Sequence, residues 1–269
     1  RKIQPTLDGN IAGGDNDSHY ADKLQLLKPA GMLRIIAGNP CNLPAHATMD
    51  KSKRFFNTIK QLQADVTMIA EHGLCPPNLE ENDYLQARAS AVLRSAKVTA
   101  DYNKHQPTST KYQRGGTAIV TTHEATTRYL STGFDSTGLG RWVSTTTEGS
   151  KSHVTRYVAA YNPCYSNMLN SVYQQQVRSL TEANRDHTPH EAFEADLRDS
   201  LIAWIEDGDH IVLYTDANQD VRDGPLQRMF KSVGMHDLIL HKHSKDSPPP
   251  ATYARNQQDK PIDAIWTTM

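Results

Sequence analysis

Asp, Glu and Asn recur at the ends of apolar runs in this chain, a placement that could hydrolyse a phosphate ester. Ile36-Ala37-Gly38-Asn39 closes one run, Met68-Ile69-Ala70-Glu71 a second, and Ala159-Ala160-Tyr161-Asn162-Pro163 a third. Leu213-Tyr214-Thr215-Asp216-Ala217-Asn218 closes a fourth, and Pro261-Ile262-Asp263 opens the last. An apolar strand that ends in a carboxylate or amide sets that group on a rigid element beside a cleft. Phosphodiester hydrolysis needs oxygen ligands for a hard cation, usually Mg²⁺. It also needs a positioned water and a base for it, and donors facing the phosphoryl oxygens. Each position alone fits a turn, because Asp and Asn bond their own backbone. Five in order along one chain fit a shared site better.

The elements that must position these groups can be read in outline. Leu33 to Ala37 is a short apolar run ending at Gly38 and reads as a buried strand. Asp50 could cap a helix to about Gln63, with Phe55, Phe56, Ile59 and Leu62 on one face. Asp65 to Ala70 and Gly115 to Val120 read as further strands, the second with a glycine entry. Arg141 to Thr146 and Val154 to Tyr161 look like a β pair turning at Glu148-Gly149-Ser150-Lys151. A helix over about 167–180 places Leu169, Val172, Tyr173 and Leu180 on one side. Thr188-Pro189-His190-Glu191 is a capping box with proline at the first helical position. Phe193, Leu197, Leu201 and Ile205 continue that helix at helical spacing. Ile211 to Tyr214 is a core strand, residues 225–233 a helix ending at Gly234, and Ile262 to Trp266 the last strand.

Strands and helices mix without a regular βαβ alternation, so a two-sheet β-sandwich flanked by helices is expected rather than a Rossmann sheet. Neither common glycine-rich phosphate loop is present. Residues 1–31 read as a linker or loosely attached arm, and 32–269 as one domain. Hydrophobic residues are 37% and charged residues 22% of the 269. No apolar run approaches the roughly 18 residues of a membrane span. Cys41, Cys75 and Cys164 are an odd number without Cys-x-x-Cys spacing, which fits free thiols in an intracellular, nuclear or cytoplasmic setting. Basic residues number 29 against 30 acidic, so there is no global electrostatic footprint for nucleic acid. A nuclease could still gather its cations around one groove.

The order of the motifs resembles the endonuclease/exonuclease/phosphatase superfamily, from about Leu33 to the end of the chain. Leu33 to Leu43 is similar to its opening strand, with Asn39 matching the Asn of Trp-Asn. Asp65 to Glu71 resembles the strand ending in Gln-Glu, and Gly115 to Val120 the Gly-Gly-x-Ala-Ile strand. Tyr161-Asn162-Pro163 resembles Tyr-x-Pro, Thr215 to Asn218 resembles Gly-Asp-Phe-Asn, and Ile262 to Ile265 resembles Ile-Asp-x-Ile. The resemblance implies an α+β, four-layer sandwich. It also implies that Glu71 binds Mg²⁺, with Mn²⁺ as an alternative. Asp216 would position or activate water, Asn218 and Tyr161 would contact the phosphate, Asn39 would serve the same centre, and Asp263 would orient a histidine.

The departures are equally specific. Gly38, Ala70, Thr215 and Ala217 stand where the family has Trp, Gln, Gly and Phe. Cys41 replaces a second carboxylate or amide found in some relatives. The family's final Ser-Asp-His does not occur before Met269, and none of the 12 histidines has that context; His241 and His243 read as a solvated polar loop. Opening on Arg1 rather than Met, the chain is expected to be a slice of a longer polypeptide, its fold incomplete at the C-terminus and its activity impaired. The implied function is a nucleic-acid endonuclease, DNA ahead of RNA, with the domain preceding a retrotransposon's reverse transcriptase as its most specific form. The alternatives are an inositol phosphate or sphingomyelin phosphodiesterase, and a degenerate domain that binds without cleaving.

Overall fold

Residues 27–44, 50–242, 252–255 and 258–268 are described in the computed structural model of the chain. A four-stranded sheet contains β1 (Ile35–Gly38), β2 (Val66–Ala70), β3 (Lys97–Asp101) and β4 (Thr117–Thr121), in the order β1-β2-β4-β3. β1 runs parallel to β2, and β4 is antiparallel to both its neighbours. The second sheet has β5 (Tyr129–Phe134), β6 (Trp142–Glu148), β7 (Val154–Tyr161), β8 (His210–Asp216), β9 (His236–Asp237) and β12 (Asp263–Thr267), in the order β5-β6-β7-β8-β12-β9. Only β7 and β8 pair in parallel within it. β10 (Tyr253–Arg255) and β11 (Gln258–Lys260) form a separate antiparallel pair.

Side chains alternate across a strand, and this alternation builds three apolar layers. On β2, Val66, Met68 and Ala70 face Tyr157, Ala159 and Tyr161 of β7 in a buried inter-sheet cluster. Ile69 instead joins Phe56 and Ile59 of helix α1 (Asp50–Gln61) and Leu85 and Ala89 of α2 (Leu85–Ser90). Val158 and Ala160 of β7 meet Phe193, Leu197 and Leu201 of α5 (Pro189–Glu206) and Phe230 of α6 (Pro225–Ser232). Fully burying a side chain of this size contributes about 1.5–3 kcal/mol. Since both faces of each sheet are covered, the central strands read as continuous apolar runs.

The sandwich flanked by helices agrees with the sequence reading, with shifted boundaries. The helix expected at 167–180 is α4 (Val172–Glu182), because the Ser171 hydroxyl accepts from the Gln174 amide and caps it there. Leu169, assigned to that helix's apolar side, is 75% exposed ahead of it. His241, expected in a loop, lies in α7 (Leu238–Lys242), where Asp237 accepts from the amides of Ile239 and Leu240. His243 and residues 1–26 of the expected arm lie outside the described residues. Lys28, just beyond them, pairs with buried Asp65 at 2.7 Å. The capping box at Thr188 and Glu191 is present as read. β3, β5, α2 and α3 (His123–Thr127) had no expectation; they are short, and β5 is largely exposed.

Candidate active site

The strand directions bring the polar groups to one end of the sandwich. Asn39 and Glu71 follow directly on the parallel strands β1 and β2, and Tyr161 and Asp216 end the parallel strands β7 and β8. β12 is antiparallel to β8, so Asp263 opens where β8 closes. The register pairs Tyr161 with Asp216 and Asp216 with Asp263, neighbours at the usual inter-strand spacing of about 4.8 Å.

Hydrogen bonds then join the two sheets. The Asn39 side-chain amide donates to Glu71 Oε2 and to Asp216 Oδ2, each at 2.7 Å. The Tyr161 hydroxyl donates to Glu71 Oε1 at 2.6 Å. Asn39 is itself fixed by the Cys41 backbone amide, which donates to its Oδ1 at 2.6 Å. Thus Cys41 contributes its backbone here, and its side chain is exposed in the cleft. Cys41, Asn42, Glu71 and Asn218 all sit at positive φ, a conformation that costs non-glycine residues energy and clusters at functional sites. The Asn42 amide donates to the Glu71 carbonyl and the Leu43 amide to that of His72, which holds the two loops together.

Burial governs the electrostatics. The Asp216 carboxyl is pushed up to about 8, first by desolvation and then by the charge of Asp263, against the lowering hydrogen bond from Asn39. Asp263 is raised too, chiefly by burial. The Tyr161 hydroxyl is driven well above its ordinary value by burial and by Glu71, so it stays protonated and donating. One oxygen of Asp216, Oδ1, is buried without a hydrogen-bond partner. A buried, unpartnered carboxylate oxygen among like charges suits a cation or a polarised water.

Asn218 lies at the site but donates its side chain to the Asn162 carbonyl at 2.8 Å. Asn162 returns a bond from its amide group to the Ala217 carbonyl at 3.0 Å, so the pair strap the ends of β7 and β8 together. Three further residues were not singled out from sequence. Asn162 is buried with its Oδ1 unpartnered. Tyr214 donates to Asp263 Oδ1 at 2.7 Å; strand alternation places it on the same face as Asp216 and could have flagged it. His72 is fully buried beside Glu71, donating from Nε2 to the Asp101 carbonyl and accepting the Leu74 amide at Nδ1. A Cβ on Gly116, at φ +83, would come within 2.4 Å of that ring, so glycine is required there.

Burial lowers the His72 imidazole to about 4, against its backbone hydrogen bond. The unfolded chain therefore takes up a proton near pH 6.5 that the folded chain refuses until about pH 4. His72 contributes stability at neutral pH that is lost as the pH falls through this window, on the order of 3 kcal/mol. Chemical denaturation of the wild type and of His72→Gln at pH 7 and pH 4.5 checks it. The wild type is expected to lose the more stability of the two, and parallel losses would show that His72 does not titrate this way.

Beside these groups opens a cleft of about 400 Å³, lined by Glu71, Tyr161, Cys41, Tyr112, Arg114 and Tyr165 among others. Among the described residues, no three His, Cys, Asp or Glu side chains form a preformed metal cluster. Mg²⁺ commonly uses one or two carboxylates and completes its shell with water and substrate phosphate. Glu71 with the open oxygen of Asp216 fits that pattern.

No protein-family model and no curated protein matches the chain. Solved structures do. An endonuclease/exonuclease/phosphatase family protein from Leptotrichia buccalis matches over 88% of both chains at TM-score 0.57 and 16% identity. An AP endonuclease from Archaeoglobus fulgidus matches over 88% of this chain and 87% of its own at 0.56 and 15%. A 3′ phosphatase from Neisseria, bound to a product DNA hairpin, matches over the same shares at 0.57 and 13%. The chain has the fold of the endonuclease/exonuclease/phosphatase superfamily, two mixed sheets flanked by helices.

Proposed function

We propose that the chain is the catalytic domain of a Mg²⁺-dependent phosphodiester hydrolase, a nucleic-acid endonuclease acting on DNA ahead of RNA. The observation that carries it is Asn39 bridging Glu71 and Asp216 at 2.7 Å from opposite sheets, beside a cleft open to a ligand. The DNA hairpin held by the similarly folded Neisseria phosphatase supports the choice of nucleic acid. Glu71 would hold the cation, with Asp216 Oδ1 beside it. A bound divalent cation neutralises charge on the phosphoryl oxygens and acidifies a water. Asp216, which a cation beside it would hold ionised, would orient the attacking water and accept its proton as the new O–P bond forms. Asn39 and Tyr161 direct all of their side-chain donors to Glu71 and Asp216, and would turn them to the phosphate only as a cation takes over the Glu71 carboxylate.

The leaving oxygen needs a proton as its bond to phosphorus breaks. Among the described residues, the hydrogen bonds at Asp263 come to Tyr214 and Thr252 and none involves a histidine. Without a histidine in contact with Asp263, turnover is expected to be about 10²- to 10⁴-fold below that of a site with a general acid there. The chain is expected to nick supercoiled plasmid slowly in Mg²⁺ and to stop on chelation. Intact plasmid after long incubation in both Mg²⁺ and Mn²⁺ would refute the endonuclease reading.

A further inference from the structure

The loop after Tyr161 carries a feature the hydrolytic chemistry does not use. Tyr165 is 62% exposed, yet it lines the cleft together with Glu71 and Tyr161. A large aromatic left open to water normally lies flat on the surface or moves freely; this one is braced. Its ring meets Tyr173 edge to face at 5.1 Å, and its hydroxyl donates to Asn167 Oδ1 at 3.0 Å. Tyr173 is buried at the start of α4 and meets His190 edge to face at 5.2 Å. His190 Nε2 donates to the Pro163 carbonyl at 2.7 Å, which closes the chain of contacts onto the loop that carries Tyr161. The exposed ring is therefore held in fixed relation to Tyr161 and Glu71.

The rest of the cleft says what such a ring meets. Arg114 is exposed on the cleft wall and makes no ion pair with a described residue. Tyr112, 44% exposed, lines the same wall. A cation for a phosphate and fixed aromatic surface for a planar group match the two halves of a nucleotide. A volume of about 400 Å³ suits one nucleotide unit. Base pairs in a duplex are stacked on their own neighbours, so a protein ring can take only a base that has left the stack.

We infer that Tyr165 is a stacking platform for one unpaired nucleobase next to the scissile phosphate, and that the site selects single-stranded or locally opened nucleic acid. The inference rests on the nuclease reading and deepens it. Stacking is sequence-tolerant, because every base has a π-face, so little base preference arises from this contact.

The test is fluorescence-anisotropy binding of a labelled single-stranded oligonucleotide to residues 1–269, in an Asp216→Asn background that prevents cleavage. A strand of the same length with abasic sugars replacing its bases keeps the phosphates and removes the stacking partner. Tyr165→Ala is expected to weaken binding of the base-bearing strand by about 5- to 150-fold. It should leave the abasic strand unchanged, and Tyr165→Phe should bind the base-bearing strand as tightly as the wild-type residue. An Ala variant that binds the base-bearing strand as tightly as the Tyr165 protein, or that loses affinity equally on both strands, overturns the platform while the nuclease reading stands. Failure of either strand to bind, with sphingomyelin vesicles bound through Tyr165 instead, overturns both.

Discussion

Glu71→Gln and Asp216→Asn are each expected to reduce Mg²⁺-dependent plasmid nicking by at least about 10³-fold, with the far-ultraviolet circular dichroism unchanged. Both substitutions keep shape and remove charge. In Glu71→Gln, an amide NH₂ replaces one of the two oxygens that accept from Asn39 and Tyr161, so one donor faces another donor. The carboxylate assigned to the cation is lost at the same time. In Asp216→Asn, the unpartnered Oδ1 position can no longer take a proton from water. Groups that act together in one step are non-additive, so the double variant should be scarcely slower than either single one. The measurement is the initial rate of supercoiled-to-open-circle conversion. Wild-type rates in either single variant would mean that the chemistry is elsewhere.

The second large effect is on stability and runs in the opposite direction. Asp216 releases its proton near pH 4 when unfolded but holds it to about 8 when folded. A raised carboxyl pKa means that the folded state binds the extra proton between those values, so this group's contribution to stability is fully present below pH 4 and is lost as pH rises towards 8. The cause is burial of Asp216 beside Asp263, which loads one corner of the molecule with more negative charge than it solvates. Asp216→Asn should therefore melt above the wild type at pH 8 in chelator, and the gap should close towards pH 4. The gain is on the order of a few kcal/mol, each worth about 2–4 °C in Tm. Mg²⁺ should narrow the gap by stabilising the wild type through linkage. Differential scanning fluorimetry across pH decides it, and an Asn variant that melts lower at pH 8 would contradict the charge argument. A site that loses stability in order to hold charge ready is the usual trade between function and stability.

Much of the site was legible because the informative residues sit where strands stop. Polar groups after Ala37, Ala70 and Ala160 stand out against apolar runs, and such runs are among the strongest local signals in a chain. Glu71, Tyr161, Asp216 and Asp263 could be picked on that basis, and the structure brings all four together with Asn39. The helix at Pro189 was legible for a different reason, since its capping box is local chemistry. Where the reading slipped, the signal was not local. Leu169 fits a helical period, but Ser171 stops the helix short of it. The bond from Asn218 to the Asn162 carbonyl, which straps two strand ends, is announced by no local pattern and leaves the residue's second amide hydrogen for the expected phosphate contact. His72 looks like one histidine among twelve until Gly116 and Asp101 close around its ring.

The sequence by itself determined which residues are polar at strand ends and which faces of each strand are apolar, because both follow from side-chain type and a period of two. Only the tertiary structure decided that Asn39 reaches Asp216, 177 positions away, and Glu71, 32 positions away, at once. That contact exists because Met68 and Ala70 on one sheet must be buried against Tyr157 and Ala159 on the other. Closing this shared apolar layer fixes how the two sheets lie, and the polar groups at their ends have no other place to go.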